Sequence, residues 1–265
     1  MAGILKQSIC DLMACLRFFT RLPLPALPFE RDIHAMLDFK IAVRMLPFAG
    51  MVVGMAGALI VLVGHALHLP PLINGAIMYA ALALMTGGLH EDGLADIADG
   101  FGGGRTLARK LEIMKDSRLG SYGVLALVFS VLIRVVAVSA FLADFGIYPA
   151  MGAVIAAASL SRGLCLMPLC LLAPARVDGA AASAARPLAS TQVWIALYIL
   201  GLTLLFTGLG PFGFGHAFLA LACATVASFG LTRLSQAQIG GQTGDVAGAT
   251  QQVAEMAFLV ALLVA

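Results

Sequence analysis

The chain has 265 residues, of which 61% are hydrophobic and only 11% are charged. Soluble globular domains contain about 45–50% apolar and about 25% charged residues, so this composition excludes an ordinary soluble protein. The net charge of +2 gives no reason to expect a nucleic-acid partner. Long uncharged runs rich in Leu, Ala, Val and Gly instead predict a helical protein that crosses a membrane several times.

Residues 3–21, ahead of the first long apolar run, have apolar side chains at helical spacing. Leu5, Ile9 and Leu12 follow this period, while Lys6 falls on another face. The pattern predicts an amphipathic helix that lies in the membrane interface rather than crossing it. We expect residues 1–44 as a whole to form a cytoplasmic or interfacial segment.

Seven apolar segments follow, and each is near the length of about 20 residues that a helix needs to cross a bilayer. They cover residues 45–67, 72–89, 124–143, 150–172, 192–209, 214–234 and 246–265. Together with the N-terminal helix they predict an all-α, polytopic helical bundle. We expect residues 1–265 to form a single membrane-embedded domain.

Lys and Arg concentrate on one side of the predicted spans. Six precede the first span, five lie between the second and third, and the three loops on the opposite side carry none. Cytoplasmic loops of membrane proteins carry an excess of Lys and Arg. We therefore expect loops 90–122, 173–191 and 235–245 to face the cytoplasm.

A cluster of ionisable residues comes directly after the second predicted span, where His90, Glu91, Asp92, Asp96 and Asp99 fall within ten residues. The last three have the spacing i, i+4, i+7, so a helix presents them on one face, where like charges repel. A bound Mg²⁺ removes that conflict, because it takes oxygen ligands from carboxylates and substrate phosphates. The spacing thus predicts a metal site at these three aspartates. The alternative is a solvated acidic surface that caps the next helix.

Glycines and basic side chains follow the acidic cluster. A glycine-rich turn at residues 101–104, opening a helix N-terminus, would expose backbone N–H groups to anions. Arg105 and Arg118 could then hold phosphate oxygens in pairs. We therefore expect residues 90–122 to form a cytoplasmic active-site loop. The alternative is that these cations serve membrane orientation and lipid headgroups.

A polar turn opens the last predicted span. Gln242, Thr243 and Asp245 lie among glycines at a helix N-terminus, on the same side as the acidic cluster. The functional interpretation makes Asp245 a metal ligand or base and gives Gln242 and Thr243 contacts with the ligand. The structural alternative is that Asp245 is the N-cap of the helix.

Two arginines lie inside predicted spans, where ionisable residues usually indicate function and usually find a partner. Arg162 is expected to meet an aspartate or a phosphate deep in the site. Arg134 is expected to pair either there or with Glu255, the one acid well inside the last span, which would be a structural role.

In their order along the chain these motifs resemble one family, cobalamin synthase, also called adenosylcobinamide-GDP ribazoletransferase. The resemblance covers nearly the whole chain. The matching blocks are Phe18-Phe-Thr-Arg-Leu-Pro23, Gly87-Gly-Leu-His-Glu-Asp-Gly-Leu-Ala-Asp96 with Asp99-Gly100, Leu111-Glu-Ile-Met-Lys-Asp-Ser-Arg-Leu-Gly120, Ser161-Arg-Gly163 and Gly240-Gly-Gln-Thr-Gly-Asp245.

The resemblance implies a Mg²⁺-dependent phosphotransferase of the bacterial cytoplasmic (inner) membrane. It would join adenosylcobinamide-GDP to α-ribazole or its phosphate, release GMP and give adenosylcobalamin or its phosphate, which are late steps in assembling the nucleotide loop of vitamin B12. The expected partners are these substrates and membrane lipid, without nucleic acid. A homo-oligomer remains open.

Phosphoryl transfer depends on positioning and charge neutralisation, which gives each candidate a role. The carboxylates expected to hold Mg²⁺ on the diphosphate are Asp92, Asp96 and Asp99. The residues expected to contact substrate are Arg105, Arg118, Arg162, Gln242 and Thr243. The candidates for the base that takes the hydroxyl proton are His90, Asp116 and Asp245, and the sequence does not choose among them.

Other classes of membrane protein fit less well. CDP-alcohol phosphotransferases carry Asp-Gly-x-x-Ala-Arg, whereas this chain has Asp96 at the end of Asp-Gly-Leu-Ala-Asp. Membrane prenyltransferases carry two separated acidic motifs, and here one cluster is found. A cation transporter would place acids along the spans, where only Glu255 lies. A structural scaffold would tolerate Asp92→Asn.

Overall fold

A computed structural model describes residues 2–30, 37–176 and 184–264, so part of the predicted 173–191 loop lies outside the described residues. Most of these residues are in helices and none is in a β-strand, which confirms the all-α class. The helices are α1 (Ala2–Phe19), α2 (Leu46–Ala66), α3 (Pro71–Thr86), α4 (Leu89–Gly103), α5 (Leu107–Ile113), α6 (Ser121–Ala140), α7 (Ile147–Leu164), α8 (Met167–Leu171), α9 (Ala189–Thr203), α10 (Gly213–Ile239) and α11 (Gly244–Val264).

The helical segments agree with the predicted number of spans. Six of them are long and apolar enough to cross a membrane: Ala42–Ala66, Ser121–Phe145, Ile147–Leu171, Ala189–Gly208, Gly213–Ile239 and Gly244–Val264. Helices α3 and α4 add a seventh if they are counted as one bent span. The prediction of about seven spans is therefore confirmed. Helix α1 forms at the N-terminus, and its placement in the membrane interface stays a prediction.

Two consecutive glycines separate the apolar α3 from the acidic α4. Gly87 and Gly88 have φ angles of 72° and 69°, a left-handed conformation that glycine adopts without steric cost. The N–H of Gly88 donates to the carbonyl of Ala83 over 2.9 Å, which ends α3 as a helix C-cap does. The backbone N–H of Arg21 donates to Met85 over 2.7 Å and joins the N-terminal segment to the same turn. Helix α4 consequently turns by 91° from α3.

The centre of the bundle is the close contact between α2 and α7. A Cβ atom on Gly50 would lie 2.3 Å from the carbonyl oxygen of Ala158, and one on Gly54 would lie 2.7 Å from the Cα of Ile155. Small residues let two membrane helices approach until their backbones touch, and this packing replaces the hydrophobic effect within lipid. The other helices pack around this pair.

We predict that Gly50→Ala destabilises the protein, because the added methyl group meets backbone that cannot rotate away. Overpacking of this kind costs about 1–3 kcal/mol. The measurement is the thermal unfolding midpoint of purified protein in detergent. Gly201→Ala is the matched control, because a Cβ atom there meets nothing within 4 Å. Equal midpoints for the two variants would contradict the close α2–α7 contact.

Candidate active site

A cleft of about 260 Å³ lies where α4, the start of α11 and residues 173–176 meet the N-terminal segment. We call the apolar part of its lining, Phe18, Phe19, Phe39, Leu89, Leu166 and Leu169, the apolar end of the cleft. We call the polar part, His90, Asp92, Arg176, Gln242, Thr243 and Asp245, the polar end. The cleft therefore brings together two of the sequence motifs, the acidic cluster and the turn before the last span.

The carboxylates of α4 and α11 approach each other because a glycine lies between them. A Cβ atom on Gly93 would lie 2.7 Å from the backbone oxygen of Asp245, so a larger residue would push the two helices apart. Asp96 lies near enough to Asp92 and Asp245 for their negative charges to repel one another. Such crowding of like charges favours the binding of a cation.

The turn at residues 240–243 is fixed by backbone hydrogen bonds to a neighbouring segment. The N–H of Gln242 donates to Ala173 and the N–H of Ala175 donates to Gln242, each over 2.9 Å. Arg176 follows directly, and its Nη2 lies 3.2 Å from Oδ2 of Asp245. The pairing thus places one guanidinium beside the carboxylates of the cleft.

Thr243 caps α11, a role that the structural alternative gave to Asp245. Its Oγ1 accepts a 3.3 Å hydrogen bond from the N–H of Val246 and donates to Oδ2 of Asp245 over 3.0 Å. Asp245 lies in the first turn of the helix, where a carboxylate is favoured by the helix dipole. The cap therefore leaves Asp245 directed at the cleft, while Gln242 and Thr243 are both buried there.

Asp99 points to a different partner from the other two aspartates of its predicted face. Its oxygens accept hydrogen bonds from the backbone N–H groups of Gly120 and Gly123 over 2.7 and 2.8 Å. These groups belong to the start of α6, so the carboxylate caps that helix. Its role as a metal ligand stays a prediction, and its two hydrogen bonds are structural.

The basic segment after α4 lies outside the cleft lining. The glycines at 102 and 103 end α4 instead of opening a helix, and Thr106 caps the short α5. Arg105 is exposed, and Arg118 forms an exposed ion pair with Asp116 over 2.6 Å. Hydrogen bonds from Arg118 lower the pKa of Asp116 to about 2. Asp116 is therefore a poor proton acceptor, and the site roles of all three residues stay predictions.

His90 is buried at the boundary between the cleft and the interior of the bundle. Its ring is parallel to that of Phe19, with centroids 6.0 Å apart. Within the described part of the chain its Nε2 has no hydrogen-bond partner. The role of His90 as the base stays a prediction.

A buried polar network lies behind His90, among the helices. Nη1 of Arg134 lies 3.2 Å from Oε1 of Glu91, and Nε2 of Gln252 donates to the same oxygen over 3.0 Å. Among the described residues, Arg134 forms its ion pair with Glu91 and not with Glu255, the predicted alternative. Glu255 instead accepts a hydrogen bond from Gln251 over 2.6 Å. The network joins α4, α6 and α11 directly behind the cleft.

Arg162 faces this network and not the cleft. It lines a small internal cavity together with Glu91 and Glu255, and its Nη1 donates to the carbonyl of Ala158 over 3.0 Å. Contact with a phosphate therefore stays a prediction for this residue.

The cleft carboxylates have donors of the type that Mg²⁺ prefers. In residues 2–30, 37–176 and 184–264 no three His, Cys, Asp or Glu side chains already form a metal-binding group. Mg²⁺ is usually bound by one or two carboxylates and completes its shell with water and substrate phosphates. Asp92 and Asp96, one turn apart on α4, fit a metal that arrives with a diphosphate, and they do not form a preformed protein cage.

Comparison with known proteins agrees with the motif order. Residues 11–263 match the family described as cobalamin-5-phosphate synthase (CobS). The chain belongs to this family. A relative from Azorhizobium caulinodans, named adenosylcobinamide-GDP ribazoletransferase, is 48% identical over 98% of this chain and 97% of its own length. A relative of the same name from Xanthobacter autotrophicus is 45% identical over 96% of each chain. No solved structure matches.

Membership of the cobalamin-5-phosphate synthase family confirms the resemblance drawn from the motifs. It makes the chain a transferase of cobalamin biosynthesis, and its apolar helices make it an integral membrane protein.

Sequence reasoning gave no role to several residues that line the cleft of this synthase-family chain. Phe18 and Phe19 belong to a matching block, but nothing in the block indicated what they contact. Arg176 lies in an Ala-rich loop. The one feature of the sequence that could have indicated its place in the cleft is its positive charge on the same side of the membrane as the acidic cluster. Phe39 had no signal in the sequence, because only the fold brings it to Phe18.

We predict that Arg134→Met strongly destabilises the protein, because it leaves Glu91 buried without its cation. Removing one partner of a buried ion pair costs about 3–5 kcal/mol. The measurement is a double-mutant cycle of unfolding free energies with Glu91→Gln, in which the double variant recovers part of the loss. Losses that simply add would show that the two side chains are not coupled.

Proposed function

We propose that this chain joins α-ribazole, or its phosphate, to adenosylcobinamide-GDP with release of GMP, in a reaction that requires Mg²⁺. The observation that carries the proposal is that Asp92, Asp245 and Arg176 line one cleft in a member of this family, with Asp96 one helical turn from Asp92 and near enough for its charge to interact with all three. The excess of Lys and Arg on the same side supports a cytoplasmic active site in the inner membrane.

The reaction exchanges a phosphoanhydride bond for a phosphoester bond. The ribazole hydroxyl oxygen forms a bond to the phosphorus next to the corrinoid, and the bond from that phosphorus to the oxygen of GMP breaks. GMP leaves with the electron pair of this bond. The protein has little covalent chemistry to perform, so its task is to position both substrates and neutralise charge.

Two carboxylates of α4 would hold the metal. Asp92 and Asp96 lie one helical turn apart, and the repulsion between their negative charges favours a cation there. When bound, Mg²⁺ polarises the phosphoryl oxygens and stabilises the leaving phosphate. Asp99 is left outside this set, because it caps α6.

Arg176 would neutralise phosphate oxygens that the metal does not reach. Its guanidinium lies at the polar end of the cleft, already aligned by the backbone bonds of residues 173–175. A planar guanidinium can donate two parallel hydrogen bonds to a phosphate. Arg105 and Arg118 remain further candidates on the exposed surface beside α4.

Among the three candidates for the base, Asp245 fits best. It lines the cleft and keeps its carboxylate there through Thr243 and Arg176. The ribazole hydroxyl would donate its proton to this carboxylate as the new bond to phosphorus forms. His90 is buried against Phe19, and Asp116 is paired on the surface outside the cleft lining.

We predict that purified protein in detergent or liposomes turns over adenosylcobinamide-GDP and α-ribazole phosphate only with Mg²⁺, and that EDTA abolishes turnover. Released GMP and the corrinoid product are measured together and should form in equal amounts. Asp92→Asn should lower kcat by about 10²–10³-fold, the range found when a group stabilising transition-state charge is removed.

Asp144→Asn is the matched control for this experiment. Asp144 is also an exposed aspartate, but it follows α6 outside the cleft, so the variant should keep full activity. Turnover that is insensitive to EDTA would contradict the metal role. Absence of turnover by well-folded protein in the presence of Mg²⁺ would overturn the proposed reaction.

A further inference from the structure

The apolar end of the cleft is built from three phenylalanines in edge contact. The rings of Phe18 and Phe19 have centroids 4.7 Å apart, and those of Phe18 and Phe39 are 5.6 Å apart. Phe18 remains 42% exposed, although its two ring partners are largely covered. An aromatic surface is therefore open to the cleft within a motif that the proposed reaction does not otherwise use.

Apart from His90, which lies beside Phe19, the cleft-lining side chains grouped with these rings are hydrocarbon. Leu89, Leu166 and Leu169 complete the apolar end of the cleft. A flat heterocycle placed on an aromatic ring gains stacking energy irrespective of its polar groups. A purine, however, has donors and acceptors on its edges, and each one buried without a partner is costly. The lining thus fits a flat aromatic base whose edges are mostly hydrocarbon, as in a benzimidazole.

The aromatic and acidic ends of the cleft are joined at the start of α4. The ring of His90 is stacked parallel to Phe19, and Asp92 follows two residues later, about 3 Å further along the helix axis. A nucleoside with its base on the phenylalanines thus has its sugar directed at the carboxylates. This is the orientation that the attacking hydroxyl requires.

We propose that Phe18, Phe19 and Phe39 form the stacking site for the aromatic base of the ribazole substrate. The inference rests on the proposed function and adds to it the subsite that binds the nucleoside acceptor. The guanine of adenosylcobinamide-GDP has the same flat shape, so the experiment must separate the two bases. These rings would contact the base and not the reacting phosphorus, and they should act mainly on substrate binding.

The test is Phe18→Leu, which keeps an apolar side chain and removes the ring. Phe18 is the most exposed of the three, so the variant is expected to fold. The KM for α-ribazole should rise by about tenfold, the size of one base–aromatic stack, and much more than the KM for adenosylcobinamide-GDP. Phe18→Trp should restore the low KM, because it restores an aromatic face.

Phe229→Leu is the matched control, because Phe229 is similarly exposed on α10 but lies outside the cleft lining. Phe39→Leu provides a second variant with the same expected effect. A rise confined to the KM for adenosylcobinamide-GDP would instead place guanine or the corrinoid on the rings and overturn the proposal. Unchanged KM values for both substrates would overturn it as well.

Calorimetric titration of α-ribazole into the protein separates this proposal from the reaction itself. Wild-type protein should bind the nucleoside without the corrinoid, and Phe18→Leu should bind it about tenfold more weakly. That result supports the stacking site even if no turnover is found, in which case only the proposed reaction fails. Equal binding by both proteins, with normal wild-type turnover, overturns the stacking site alone.

Discussion

The close approach of α4 to the start of α11 is the contact on which the candidate site depends. Gly93 has no side chain where a Cβ atom would lie 2.7 Å from the backbone of Asp245, and Gly248 packs against His90 from the other helix. The acids on α4 and α11 come from sequence positions about 150 residues apart. Only this contact places their charges on one cleft. The glycine that follows Asp92 in the motif is therefore as important to the site as the aspartate itself.

Behind the cleft, a network of buried polar side chains fixes how the helices are arranged, which apolar packing alone does not do. Glu91 accepts from both Arg134 and Gln252, and Gln252 also accepts a 2.8 Å hydrogen bond from Ser130. Buried ion pairs contribute little net stability, but a satisfied network permits one arrangement of the helices and penalises others. Because Glu91 directly precedes Asp92, the network fixes the start of α4 and with it the orientation of the acidic face.

The spans, the family motifs and the aspartates at 92 and 245 could be predicted because they depend on local patterns of hydropathy and charge. Other features depend on tertiary contacts that no local pattern encodes. Asp99 has the same helical spacing as Asp92, yet it caps α6 through two backbone N–H groups. Arg118 lies within a matching block but is 88% exposed and paired, whereas Arg176, with no motif around it, lines the cleft. Spacing predicts a shared face, and packing decides what that face meets.

The most direct test of this account is an experimental structure with adenosylcobinamide-GDP and Mn²⁺ in place of Mg²⁺, in which anomalous scattering locates the metal. The account predicts a metal signal between the diphosphate and the carboxylates of Asp92 and Asp96, with Arg176 and Asp245 facing the same phosphates. A diphosphate held instead on the exposed surface at Arg118, or a metal bound away from α4, would contradict it.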